Sequence, residues 1–146
     1  MREARARVRL NRTALLGAVG AVGLVIQIVL GFAVAGTAHP TESAILVPHV
    51  VIGVAGLALV AYLTLSIFRS ASLGTARLVY GLTLLLTLAQ VALGYGLILG
   101  GGAQGILMAH EGVAVLILIL MAAGGMVSAR ARRMAAQPSQ PQTSPS

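Results

Sequence analysis

Two histidines, His49 and His110, each stand near the start of a long apolar run, and two glutamines, Gln27 and Gln90, lie inside the runs that precede them. Polar side chains within such runs are costly, and they mark either function or hydrogen bonds between helices. Neutral imidazole is also a common metal ligand. The spacing recurs along the chain. Gln27-Ile28-Val29-Leu30-Gly31 is followed by Phe32, and Gln90-Val91-Ala92-Leu93-Gly94 is followed by Tyr95, 63 positions later. His49 and His110 are 61 positions apart. The chain therefore reads as two helix pairs, each supplying one glutamine, one glycine four residues on, and one histidine.

Repeats of two spans enter a membrane from the same side, so the halves are related by a pseudo-two-fold axis along the membrane normal. The second and fourth spans then run parallel and lie diagonally opposite, with both histidines about one turn inside the same end. Neighbouring helix axes are about 8–10 Å apart, so the diagonal of a square bundle is roughly 11–14 Å. That gap suits two imidazoles reaching one iron from opposite sides, with a haem on the pseudo-axis and one axial ligand from each repeat. Gln and Gly at i and i+4 share a helix face. Gly31 and Gly94, at about the histidine depth, leave a slot where a flat macrocycle can approach the backbone. Gln27 and Gln90, one turn deeper, can hydrogen-bond across the bundle beneath it. A packing role for each of these residues is the competing reading. Gly17, Gly20 and Gly23 read as glycines of close helix contact.

Other candidates carry less chemistry. His39 precedes Pro40 in a loop, and Pro48 can bend the helix that presents His49. Glu42 lies seven residues before His49, and Glu111 follows His110 but points about 100° around the helix. Either carboxylate can handle protons, or serve structure at the lipid interface. The hydroxyls of Thr64, Ser66, Thr83 and Thr87 read as structural, bonded to carbonyls of their own helices. The sequence holds no Ser/His/Asp nucleophile set, no phosphate-binding loop and no carboxylate cluster. Cysteine is absent, which excludes disulfides, thiolate metal sites and covalent c-type haem attachment.

The elements that must position these residues follow from composition. Of 146 residues, 58% are hydrophobic and 9% are charged, against roughly 25% charged in a soluble domain. Apolar runs at Ala14–Ala35, Ile45–Phe68, Leu78–Leu99 and Ile106–Val127 reach the roughly 20 residues that cross a bilayer. The expected fold is all-α: an integral-membrane, up-down four-helix bundle built from two duplicated helix pairs. It occupies residues 14–127, between an Arg-rich head at 1–13 and a basic flank with a disordered tail at 128–146.

The net charge of +7 is distributed, not clustered. Arg2, Arg5, Arg7, Arg9 and Arg12 precede the first span, Arg69 and Arg77 separate the second and third, and Arg130, Arg132 and Arg133 follow the fourth. The loops at 36–44 and 100–105 carry no basic side chain except His39. This alternation is the positive-inside pattern. It places both termini in the cytoplasm of a cell-membrane protein, its arginines on anionic lipid headgroups, and it argues against nucleic acid as a partner. The first span is too long for a signal-peptide core despite Ala33-Val34-Ala35, and reads as a retained helix. Asn11-Arg12-Thr13 falls on the cytoplasmic side, where it is not a glycosylation site.

On these features the chain resembles the haem A synthase family. The resemblance rests on Gln-x-x-Leu-Gly in the first and third spans and on histidines opening the second and fourth, and it covers residues 13–128. It implies haem b as cofactor, with His49 and His110 as the paired iron ligands. It also implies haem O as substrate and haem A as product, the methyl group of one becoming the formyl of the other. A homodimer would then supply the two bundles that longer members carry in one chain, and the partners would be a haem O supplier or terminal oxidase assembly. The chain departs from the pattern where a glutamate is expected about one turn before the first histidine. Ile45 and Leu46 stand there, and Glu42 is further back. The outer-loop cysteine pair is missing too. Two other readings remain: a small b-type, quinol-linked cytochrome that passes electrons, and a cofactor-free membrane assembly protein.

Overall fold

A backbone inside hydrocarbon must satisfy its own N–H and C=O groups, and a helix does so within one segment. The computed structural model describes residues 2–37, 39, 42–69, 74–100 and 103–136. They form four helices: α1 (Arg2–Ala35), α2 (Leu46–Phe68), α3 (Gly74–Leu99) and α4 (Gln104–Ala136). Each is long and apolar enough to cross a membrane, over Leu15–Ala35, Leu46–Phe68, Gly74–Leu99 and Gln104–Arg130. The chain is an all-α four-helix bundle and a multi-pass membrane protein.

The helices run further than the apolar segments. α1 reaches back to Arg2 and α4 continues to Ala136, so the expected head and basic flank are continuations of helix. Alanine and arginine are both strong helix formers, and neither stretch contains proline or glycine. At about 1.5 Å per residue α1 and α4 are about 50 Å long, against about 30 Å of hydrocarbon. Their arginine-bearing turns project beyond the span. The proline-rich tail from Gln137 lies outside the described residues.

Each helix packs on two neighbours: α1 on α2 and α4, and α3 on α2 and α4. The arrangement is a square in which α2 and α4 face one another along the diagonal, as the repeat requires. At the α2–α3 corner, Arg77 Nη2 donates to the Phe68 carbonyl at 3.1 Å. A cation there offsets the negative end of α2.

The buried core sits in the half of the bundle nearer the arginines. Leu63 and Ile67 of α2 pack on Ala76 and Tyr80 of α3, flanked by Leu16, Leu59 and Val127. A second group joins Val60 to Ile117 and Met121 of α4. Lipid is as apolar as leucine, so this core holds the helices together by close packing and not by escape from water. Of the hydroxyls expected to bond to their own helices, those of Thr83 and Thr87 do so and that of Thr64 does not. Thr83 Oγ1 donates to the Val79 carbonyl at 2.8 Å and Thr87 Oγ1 to the Thr83 carbonyl at 2.7 Å. Thr64 Oγ1 reaches the Tyr80 carbonyl at 3.1 Å and ties α2 to α3.

Two of the three glycines expected in close contact are so placed. A Cβ on Gly20 would come within 2.6 Å of Met121 Cε and 3.2 Å of Leu59 Cδ2, and one on Gly17 would lie 3.7 Å from the Tyr80 hydroxyl. Gly23 has nothing within 4 Å, so it is not a glycine of close contact.

Candidate functional site

His49 is the fourth residue of α2, and Pro48 before it is in the first turn. A first-turn N–H has no carbonyl four residues back inside the helix, so proline removes no bond there and need not bend the helix. The His49 N–H makes the expected bond to the Ile45 carbonyl at 3.1 Å. His110 lies in the second turn of α4. From opposite corners of the square the two side chains meet at the centre of the bundle. Their ring centroids are 6.4 Å apart, with the planes tilted at 59°.

The glycines explain how the rings fit. A Cβ on Gly31 would lie 3.2 Å from His49 Cε1, and a Cβ on Gly94 would lie 3.2 Å from His110 Cε1. Each imidazole rests against bare backbone on the other helix of its own pair. The space expected there for a flat macrocycle is taken by the histidine ring of each pair. A Cβ at either position would require that ring to give by a few tenths of an ångström.

The glutamines differ from expectation in direction. Gln27 Nε2 is 3.4 Å from His49 Nε2, a bond between neighbouring helices and not one across the bundle. Its amide lies on Gly53, where a Cβ would come within 2.9 Å of Gln27 Nε2. Gly53 was not among the residues singled out from sequence. The signal that finds it is a small residue four positions after each histidine, Gly53 in one repeat and Ala114 in the other.

Around the rings several buried polar atoms have no protein partner: Gln27 Oε1, His49 Nδ1, Gln90 Oε1 and His110 Nδ1. A buried polar atom left unpaired costs about 1–3 kcal/mol. Four such atoms at one level of one bundle therefore suit a site completed by something bound.

The chain matches no protein-family model, no curated protein and no solved structure. What it can do chemically rests on the donor set.

Among the described residues no three His, Cys, Asp or Glu side chains cluster to hold a metal ion. Two imidazoles alone hold a bare ion poorly, since structural zinc takes four protein ligands. They suffice for a metal that brings its own equatorial ligands. A metal–imidazole nitrogen bond is about 2.0–2.1 Å and a ring centroid lies about 1.1 Å behind its nitrogen, so trans imidazoles on one metal have centroids about 6.3 Å apart. The observed spacing of 6.4 Å fits. Two neutral rings also bring no net charge into the apolar interior, which favours an iron porphyrin over a free cation.

The remaining candidates are not drawn in. His39 and Glu42 are exposed, and the Glu42 N–H donates to the His39 carbonyl in the connecting turn. Glu111 is half-buried beside His110 on α4.

Proposed function

We propose that the bundle binds haem between α2 and α4, with His49 and His110 as the axial iron ligands. The observation that carries this reading is the spacing of the two rings, 6.4 Å between centroids on diagonal helices. The unpartnered ring and amide atoms around them support it. Bound there, the haem supplies reversible iron redox chemistry in a water-poor setting. The chain's own residues would hold the iron on both sides, with the rings seated against Gly31 and Gly94 and His49 supported by Gln27.

Within that reading, the resemblance to haem A synthases makes oxidation of the haem O methyl group to the formyl of haem A the activity to test first. A homodimer, a haem O supplier and terminal oxidase assembly are the partners this implies. Electron transfer as a small b-type cytochrome is the second reading. It is favoured by Ile45 and Leu46, which stand about one turn before His49 where the resembling enzymes place a glutamate. In both readings the protein lies in the cell membrane with its arginine end and both termini in the cytoplasm.

The test is the visible spectrum of the detergent-purified chain, oxidised and reduced, beside His49→Ala and His110→Ala. A low-spin haem spectrum in the parent that is lost or converted to high spin in both variants is expected. No stoichiometric haem, even after haem is supplied, would overturn haem binding and both activities with it. Haem A in extracts after co-expression with a haem O source separates the enzyme from the cytochrome.

A further inference from the structure

The two halves of the site match in their glycines and differ in their amides. Gly31 and Gly94 stand at the same distance from the two rings. Yet only the first repeat adds a side-chain bond, from Gln27 to His49. The reason lies one turn along the facing helix. Gln27's amide uses the space that a missing Cβ leaves at Gly53, and the equivalent position in the second repeat is the buried Ala114. Its methyl occupies the seat. Gln90 Oε1 and His110 Nδ1 lack a partner just as Gln27 Oε1 and His49 Nδ1 do, so what sets the first repeat apart is the bond between Gln27 and His49.

This difference matters once a metal is bound. A ligating imidazole gives one nitrogen to the metal, and a partner for the other fixes the ring's orientation and strengthens it as a donor. A carboxamide serves in either sense, because its NH₂ donates and its oxygen accepts. Gln27 meets His49 at Nε2, so it holds the ring when the iron takes Nδ1, the nitrogen that has no protein partner. His110 has no such support from Gln90.

We propose that His49 is the fixed axial ligand, clamped by Gln27 seated on Gly53, and that His110 is the ligand that lets go. The haem-loaded bundle then takes a small neutral ligand of the carbon monoxide and dioxygen class on its α4 side. This rests on the haem reading above and adds to it an exchangeable coordination position with a stated side. Gln27 is in this sense a positioning residue.

The experiment uses the full chain loaded with haem in detergent, reduced and titrated with carbon monoxide. Alongside run His49→Gly, His110→Gly, Gln27→Ala, Gly53→Ala, their double variant, and Ala114→Gly. The parent is expected to bind carbon monoxide. His110→Gly should keep its haem, bind carbon monoxide more tightly and return to six-coordination with added imidazole, whereas His49→Gly should lose most of its haem. Gln27→Ala and Gly53→Ala should each speed haem loss to an apoglobin acceptor by about threefold to tenfold, the range of one hydrogen bond. Because both act on one clamp, the double variant should be no worse than either alone. Ala114→Gly, which opens the seat to Gln90, should weaken carbon monoxide binding by a similar factor.

Equal haem loss from the two glycine variants, with carbon monoxide affinity indifferent to Ala114→Gly, would overturn the proposal and leave haem binding standing. A parent that takes up no haem would overturn both, and the spectrum before titration tells the two failures apart.

Discussion

The same four helices, at the same corners of one square, build two unlike halves. Near the arginines, Leu63, Ile67, Ala76 and Tyr80 close the interior, and the hydroxyls of Thr64, Thr83 and Thr87 each find a carbonyl. Near the other end, the interior is lined by imidazole, carboxamide and glycine, and four of its buried polar atoms lack a protein partner. The difference teaches that bundle geometry does not decide what a bundle is for. A seam of side chains sized to one another makes a support. A seam of small residues and underused donors and acceptors makes a site, and it can remain so only because the other half holds the helices in place.

If that division of labour is right, the largest loss of stability should come from the packed half. Leu63→Ala, at a fully buried position, should cost about 2–5 kcal/mol, read as thermal unfolding by circular dichroism in detergent. Haem bands in the chains that remain folded should not move; a shift would mean that the halves are not separable.

Gly94→Val should reverse the pattern. Its Cβ meets His110 Cε1 at 3.2 Å, so the overpacking cost of about 1–3 kcal/mol should fall mainly on haem per chain, measured as a pyridine haemochrome. Full haem content in that variant would show that the ring does not depend on the bare backbone.

A finer test compares two threonines. Thr64→Val breaks a bond between helices and should cost about 1 kcal/mol in the same melts, more than Thr83→Val, whose hydroxyl bonds to its own helix. Smallest of all is Gly23→Ala. Nothing lies within 4 Å of the added methyl, so the melting temperature should hold or rise slightly, in line with a helix-interior gain of about 0.5–1 kcal/mol.

Much of this was legible in the sequence, for identifiable reasons. Charges are so expensive in hydrocarbon that Arg69 and Arg77 mark a connection wherever they occur, and the alternation of apolar runs set the number of helices. The offset between the Gln-x-x-Leu-Gly groups, matched by that of the histidines, was enough to put α2 and α4 on the diagonal. The continuation of α1 to Arg2 was not legible from the same signal, since hydropathy stops where charge begins and helix propensity does not. The direction of Gln27 was hidden as well. A glutamine facing the interior can reach any of three helices, and what selects α2 is the lack of a methyl at Gly53. In a chain with 18 glycines, no single one announces such a role.

Tyr80 and Gly17 stand at equivalent places in the two repeats, 63 positions apart, and the tyrosine hydroxyl reaches toward the very spot that the glycine leaves bare. Two separate copies of one hairpin could never be arranged this way, because both would present the tyrosine or both the glycine. The short link between α2 and α3 thus does more than keep two hairpins together. It gives each an address, and with it the freedom for left and right to become different things.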